Sequence, residues 1–246
     1  MADLQALPSV WTRLRTWVSQ TSHLVLITGG LSALAALVAV GALAVNDFRT
    51  VRTSHQNHAA MLARVLEDQA TRTMQTAELA LESLATSPAL TTVASEPRRM
   101  QDALGQALAA LSFLRGLAVV DAGGRVVAST QPGEAESFVD LAKLGPLVAV
   151  GRTVQGGLTP GRSLQSVRLG GAAAAAPAGV AFIPVMHGYK NEAGQALVLV
   201  ALVNPDSLSN FQHLTLESEV FDSVVTSYSG QVLATSGAAA ALAGTR

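Results

Sequence analysis

The chain has 246 residues, of which 49% are hydrophobic and 13% are charged, and its formal net charge is −1. A charge so close to zero, without a cluster of Lys and Arg, argues against a nucleic-acid-binding surface. The absence of cysteine excludes disulfides, thiolate nucleophiles and zinc sites with Cys ligands.

The most distinctive segment is Leu24–Val45, which has no charged side chain and only Thr28 and Ser32 as polar ones. As a helix it would be about 30 Å long, which matches the hydrocarbon core of a bilayer. No comparable run follows in the chain. The sequence therefore predicts one transmembrane helix at residues 24–45, preceded by a short tail at residues 1–23.

The residues that flank this segment support a membrane span, but their charges do not by themselves fix its orientation. Trp11 and Trp17 precede it, as amphipathic rings do at a membrane interface. Arginines on the two sides balance, so we place the N-terminus inside because the tail is short and long domains translocate largely regardless of charge. The alternative is a cleaved signal peptide, whose apolar region would be shorter; the run AVGALA could mimic its cleavage site.

Two amphipathic helices are expected after the span. The first runs from Asn46 to about Ser87, and Pro88 marks its end. The second starts at Glu96-Pro97 and stops near Gly116. The apolar stripes that predict them are Leu62, Leu66, Met74, Ala77, Leu81 and Leu84 in the first, and Met100, Leu104, Leu108 and Leu111 in the second.

The pattern then changes to short apolar strands. Leu117–Val120 and Arg125–Thr130 flank the turn Asp121–Gly124 and predict a β-hairpin, in which Asp121 accepts hydrogen bonds from the turn amides. The further elements expected are a short helix at Ser137–Leu144, a loop rich in Gly and Pro, strands at Ser163–Arg168, Val180–His187 and Ala196–Asn204, a surface loop at Ala172–Ala176, and a helix at Pro205–Leu214 with Asn204 as its N-cap.

The closing segment Val224–Ser236 partly repeats the first hairpin when Gly230 is aligned with Gly124. Any tight hairpin made of Val, Gly and Ala would look similar, so the repeat can also be a coincidence of composition. The alignment matches Val119 with Val225, Val126 with Val232, and Ala128 with Ala234.

No catalytic constellation is evident from the sequence. No Ser lies in a G-x-S-x-G elbow and no glycine run forms a phosphate loop. Glu134 and Glu136 lie in a turn, where solvent exposure is expected. His55 and His58 are spaced i, i+3 and could share a metal, but without a third ligand we interpret them as solvated helix polarity. The sequence thus predicts no catalytic residue, metal site or cofactor.

The order of these motifs resembles a known family. A span, a long helix and the run FLRGLAVVDAGGRVVAST resemble the start of a Cache sensor domain. The run GQALVLVALVNPDSLSNFQHL is similar to the family's final sheet strand and exit helix, and VVTSYSGQVLATS resembles the next hairpin of double-Cache proteins. The likeness is closest to the extracytoplasmic sensor regions of bacterial diguanylate cyclases and histidine kinases.

The resemblance implies an α+β fold: an N-terminal transmembrane helix, a long juxtamembrane helix, and an antiparallel PAS-like sheet with flanking helices. It implies a sensor domain at residues 46–215 and the start of a second Cache module at residues 216–246. It also implies a single-pass protein of the bacterial inner membrane, with a cytoplasmic N-terminus and a periplasmic domain. Because no kinase or cyclase domain follows, we expect a truncated chain whose output enzyme lies in missing sequence.

The chain departs from the amino-acid-binding Cache subfamily in its pocket residues. The Arg, Trp and Tyr set of that subfamily is missing, and the ammonium-binding Asp would fall near Asn204, which cannot supply the charge. Many relatives also have an aromatic-rich segment after the first hairpin, whereas the stretch SFVDLAKLG here has only Phe138. No ligand is therefore carried over. In a PAS-like sheet the pocket lies over the concave face, and the candidate ligand-binding residues at strand ends are Arg168, His187, Tyr189 and Asn204. Arg168 could pair with a carboxylate; alternatively all four face water.

The leading hypothesis is an extracytoplasmic ligand-sensing module of a membrane-bound signal-transduction protein. An unknown small molecule would select one of two packings, and the long helix would pass the change to the span. A parallel homodimer is expected, and Gly29, Gly30 and Ala33 would allow close approach of two spans. The alternative is a membrane-tethered structural or assembly protein of the cell envelope without a small-molecule ligand. A periplasmic enzyme is disfavoured because no catalytic site is evident.

Overall fold

The computed structural model describes the backbone of residues 10–92, 96–170, 179–216, 221–236 and 242–245, with side chains from Val25 onward. The chain divides into two compact units, Met1–Ala60 and Met61–Arg246. Helix α1, Val10–Ala85, contributes residues to both units. Of the predicted tail at residues 1–23, residues 1–9 lie outside the described part and the others already belong to α1.

In the first unit, α1 carries the apolar stretch predicted to cross a membrane. The described part of the chain has one helix that is long and apolar enough to do so, by length and composition only. None of its apolar window is buried by protein, and large side chains such as Leu31, Leu37 and Leu43 are exposed. A surface of this kind is stable when lipid covers it.

The second unit contains an antiparallel sheet with flanking helices, which confirms the predicted α+β architecture. Its strands are β1 Leu114–Asp121, β2 Val126–Ser129, β3 Thr153–Gln155, β4 Thr159–Pro160, β5 Ala181–Lys190 and β6 Ala196–Val203. They lie in the order β2-β1-β6-β5-β3, and β4 also pairs with β5. The remaining helices are α2 Pro88–Thr91, α3 Pro97–Ala110, α4 Leu141–Leu144 and α5 Pro205–Leu216, and a separate hairpin consists of β7 Val224–Thr226 and β8 Val232–Thr235.

The sheet buries both faces, because side chains alternate along each strand. One face, the helix side, packs against α1, α2, α3 and α5. The other, the loop side, packs against the segment between β2 and β5. Buried residues of the helix side include Leu81, Leu90, Leu104, Leu117, Val119, Val185, Leu199 and Leu208; those of the loop side include Ala118, Val120, Leu144, Leu164, Val167, Phe182, Met186 and Val200.

The predicted hairpin β1–β2 is confirmed, with the expected turn. Asp121 Oδ1 accepts hydrogen bonds from the backbone N–H of Gly123 and of Arg125, both at 2.9 Å. Gly124 has a φ of 84°, a left-handed conformation that glycine adopts without steric cost. The segment that follows β2 returns to this turn and places Val139 beside Gly124, where the Val139 N–H donates to the Gly124 carbonyl.

The hairpin β7–β8 repeats this geometry as well as the sequence pattern. Its register pairs Val225 with Ala234, as Val119 pairs with Ala128, and both ladders shift after this pair. Gly230 has a φ of 82°. The Ser227 hydroxyl accepts a hydrogen bond from the Gln231 N–H, in the place of the Asp121 carboxylate. The aligned register, shift and turn support a structural repeat.

Several predicted elements were wrong. Ser163–Arg168 does not form a strand: Leu164–Val167 is a 3₁₀ turn, in which Leu164 and Val167 face the same way and are both buried. The helix expected at Ser137–Leu144 is confined to α4, because Phe138 and Val139 form bridges to Arg125 and Arg168.

Other boundaries also differ from the expectation. The second predicted helix ends at Ala110, before Gly116, because β1 already begins at Leu114. The loop rich in Gly and Pro contains β3 and β4, which pair with β5. The helix predicted from Pro205 is confirmed as α5, and the Ala172–Ala176 loop lies outside the described residues.

Candidate functional site

The loop side of the sheet is the candidate site, because its cover consists of irregular segments that can move more readily than long helices. Pairing across four strands places Ser129, Ala118, Val200 and Met186 in one row on this face. Three of these four side chains are small. The side chains are therefore short at the β2 end of this row, and we call the row the loop-side floor.

The cover over this floor consists of residues 131–168. It contributes Val139, Leu144, Leu164 and Val167 to the buried loop-side cluster. The cover is tightly packed at Gly156, where a Cβ atom would lie 1.7 Å from the carbonyl oxygen of Leu144, also in the cover, and 2.6 Å from Cγ of Pro184 on β5. Only glycine fits there, so Gly156 allows these three segments to approach closely.

A buried carboxylate fastens the cover to the sheet. Glu134 is 1% exposed, and its Oε2 accepts a hydrogen bond of 2.6 Å from the hydroxyl of Ser129 on β2. Its Oε1 accepts a hydrogen bond of 2.6 Å from the N–H of Leu164, the first residue of the 3₁₀ turn. The expectation of solvent exposure for Glu134 was wrong, because the chain folds back over this turn.

The neighbouring carboxylate behaves in the opposite way. Glu136 is exposed and pairs with Arg125, which is also largely exposed. A surface pair of this kind contributes little to stability. Because Arg125 of the hairpin is paired with Glu136, it does not serve as the counter-ion of Glu134.

Two of the four predicted ligand residues lie on the helix side instead of the loop side. His187 and Tyr189 alternate with Met186 and Gly188 on β5, and Tyr189 belongs to the helix-side cluster. The His187 ring nitrogen Nδ1 lies 2.8 Å from the Thr153 hydroxyl. Burial lowers the pKa of His187, although the charge of Glu82 on α1 opposes this shift.

Tyr189 is buried without a hydrogen-bond partner for its hydroxyl among the described residues. Burial raises the pKa of Tyr189 well above its ordinary value. An unpaired buried hydroxyl is costly, so this group would gain from a polar partner that enters the core.

The other two predicted residues lie elsewhere. Arg168 is exposed at the end of the 3₁₀ turn and forms a backbone bridge with Val139. Asn204 precedes α5, where its Oδ1 accepts from the Asp206 N–H at 3.1 Å, which confirms its predicted role as N-cap. The same oxygen accepts from Arg115 Nε at 2.9 Å. The four residues thus do not form one cluster, and their role in ligand binding stays a prediction.

The roles of Glu134 and Arg115, which each join distant segments of the chain by hydrogen bonds, were not predicted from the sequence. Arg115 Nη2 lies 2.6 Å from Asp206, and its Nη1 is buried without a partner among the described residues. No local signal marks either residue, since Glu134 lies in a polar turn and Arg115 precedes a glycine at the start of a strand. Their partners are distant in the chain and emerge only when the sheet closes.

The described residues hold no group of three or more His, Cys, Asp or Glu side chains that could bind a metal ion. Among the described residues, the buried polar groups of the loop side and its cover include the Glu134 carboxylate, the hydroxyls of Ser129 and Ser137, and backbone amides. Such a set can bind a small polar molecule by hydrogen bonds and charge.

Comparison with known proteins supports this fold. No protein-family model and no curated protein matches the sequence. Among solved structures, an extracellular ligand-binding receptor from Desulfohalobium retbaense matches with a TM-score of 0.56 and 13% identity, over 76% of this chain and 32% of the receptor. This chain therefore spans about a third of that receptor.

Two further matches are complexes of the ligand-binding domain of the Pseudomonas fluorescens chemoreceptor CtaA. The complex with L-serine has a TM-score of 0.52 and 16% identity, over 79% of this chain and 77% of that domain. The complex with L-alanine has a TM-score of 0.51 and 16% identity, over 77% and 74%. At such identities the likeness establishes the fold alone, and it agrees with the α+β architecture predicted from the sequence.

Proposed function

We propose that this chain is the extracytoplasmic ligand-sensing module of a membrane-bound bacterial signal-transduction protein. The observation that carries the proposal is the shared fold with the ligand-binding domains of chemoreceptors. The apolar helix in the first unit supports it, because a sensor outside the cell needs an anchor in the membrane. Both neighbours are ligand-binding proteins and neither is described as an enzyme.

The ligand we propose is a small amino acid. The support is that the CtaA domain, which has this fold, was solved with L-serine and with L-alanine. A ligand of that size suits a site built from a row of small side chains on the loop side, next to hydroxyl and carboxylate groups. The Arg, Trp and Tyr set of the amino-acid-binding subfamily is missing, so other residues would have to bind the ligand.

The test of this function is a thermal-shift measurement on the full chain in lipid nanodiscs. A ligand that binds the folded state alone stabilises it by RT ln(1 + [L]/Kd), so a compound at 100 times its Kd adds about 2.7 kcal/mol. For a chain of this size we expect a rise of roughly 5–10 °C in Tm with at least one amino acid. No shift across a broad metabolite panel, together with tight binding to another envelope protein, would favour a structural or assembly role.

The orientation we propose is an N-terminus in the cytoplasm and a periplasmic domain, in the bacterial inner membrane. It is supported by the structural likeness to an extracellular ligand-binding receptor. Protease added to intact spheroplasts should digest the domain after residue 60. A domain that resists until the cells are lysed would contradict this orientation.

Signal transfer would proceed through α1 in a parallel homodimer. Within the second unit, α1 buries Leu66, Ala77 and Leu81, so a change in the packing of the sheet can shift this part of the helix. Ligand binding would select one of two packings of this interface. We further propose that residues 216–246 begin a second Cache module, which the repeated hairpin β7–β8 supports.

A further inference from the structure

We propose that the Glu134 carboxylate binds the ammonium group of the ligand. This inference rests on the proposed function and names the residue that would give it chemical selectivity. It would make the sensor specific for small molecules with a free amino group. Molecules of the same size that carry only a carboxylate would not be recognised.

The first argument is charge. Glu134 is almost fully buried, yet both side-chain hydrogen-bond partners that it has among the described residues are neutral, the Ser129 hydroxyl and the Leu164 N–H. None of the ion pairs found in the described ranges includes Glu134, since Arg125 pairs with Glu136 instead. A buried carboxylate is costly unless a cation or several donors compensate it. An ammonium brings a positive charge and three donors.

The second argument is free hydrogen-bonding capacity. An ionised carboxylate has about four lone-pair sites, and Glu134 uses one on each oxygen. Each oxygen can therefore accept a further hydrogen bond without losing its present partner.

The third argument is position. Ser129 shares its face of the sheet with Ala118 and Val200, so Glu134 lies at the low end of the loop-side floor. Leu164 belongs to the cover. A ligand bound by Glu134 would thus contact both the sheet and the segment that closes over it, and its presence would change how firmly the cover is held.

The residue that the sequence resemblance indicated for this role is not suited to it. Asn204 is neutral, and its Oδ1 is already engaged by Arg115 and by the Asp206 N–H. Its position at the N-terminus of α5 is explained by capping. Glu134 supplies the negative charge that Asn204 lacks.

The experiment compares Glu134→Gln with Glu136→Gln in the full chain in nanodiscs. Both variants lose one negative charge two residues apart, and Gln keeps an oxygen that can accept from Leu164. Binding is measured by calorimetry with L-alanine, L-serine, propylamine and propionate; propionate is L-alanine without its amino group. We expect the wild type to bind at least one of the amines and not propionate, E134Q to bind that amine at least about tenfold more weakly, and E136Q to bind it as the wild type does.

Each outcome decides the matter. Equal amine affinity in E134Q and the wild type, or binding of propionate as tight as that of L-alanine, overturns the role of Glu134 and leaves the sensing function in place. Binding of none of the four probes overturns the role of Glu134, while the broader metabolite panel decides the function separately. If E134Q does not fold, binding of propionate to the wild type as tight as that of L-alanine still overturns the inference.

Discussion

His187 is a buried histidine, and its burial disfavours the protonated form of the ring. The residue is 7% exposed on the helix side of the sheet, and its ring contacts the Thr153 hydroxyl. Among the described residues, Glu82 of α1 raises the pKa of His187 by its charge, and this effect is smaller than the lowering by desolvation. The neutral ring is therefore the form that fits the folded protein.

The consequence is a pH dependence of stability. Because the pKa of His187 is lower in the folded state than in the unfolded state, the unfolded chain binds more protons near that pKa. Stability due to this residue is complete above the ordinary pKa of His, about 6.5, and is lost as the pH falls towards the lower folded value. Thermal unfolding followed by circular dichroism between pH 8 and pH 5 should show the decrease.

The variant that isolates this effect is His187→Asn, whose amide can take the place of Nδ1 beside Thr153. Its Tm should decrease less between pH 7 and pH 5 than that of the wild type, even if its absolute Tm is lower. His213→Asn on the exposed surface of α5 serves as the control and should leave the slope unchanged. A slope in H187N as steep as that of the wild type would refute the assignment.

Among the secondary-structure elements, the two repeated hairpins offer an internal comparison. Gly124 and Gly230 occupy the same turn position with φ values of 84° and 82°. A Cβ at Gly124 would lie 2.4 Å from the Val139 carbonyl oxygen, whereas a Cβ at Gly230 would have no described atom within 4 Å. The backbone conformation is thus equally strained for alanine in both turns, and only the first turn adds a clash.

Alanine substitution at these glycines should separate strain from contact. Gly230→Ala should cost about 1–2 kcal/mol of unfolding free energy, the usual penalty for a left-handed conformation. Gly124→Ala should cost clearly more, because the strand that carries Val139 must also shift, and overpacking adds about 1–3 kcal/mol. Chemical denaturation of each variant measures the difference. Equal costs would show that the Val139 strand yields without resistance.

The elements that could be predicted from the sequence are those whose signals are local. Hairpin β1–β2 follows from Asp121 and Gly124, and α5 follows from Asn204 and Pro205. Strands β3 and β4 are short, and they form because the edge of β5 offers unpaired backbone groups to them. The burial of Glu134 depends likewise on Ser129 and Leu164, which the fold brings together. No window of sequence contains that information.

At the scale of the whole molecule, the exposed face of α1 is the surface through which the proposed homodimer would form. Within the second unit, α1 turns Leu66, Ala77 and Leu81 towards the core. On the opposite face, Met61 and Val65 are about half exposed, and Leu79 follows on the same face about five turns after Met61. Between Val65 and Leu79 the same face carries the exposed ion pair Asp68–Arg72, so the apolar part that supports the proposed contact with a second α1 is centred on Met61 and Val65.

A cysteine cross-link tests this dimer directly, since the chain has no cysteine of its own. In a parallel dimer with twofold symmetry the same residue of each copy meets at the axis. Val65→Cys should therefore form a disulfide-linked dimer when membranes are oxidised with copper phenanthroline. Glu67→Cys is also exposed but points to another side of the helix, so it should stay monomeric. Cross-linking of both variants to the same extent, or of neither, would contradict a dimer through this face of α1.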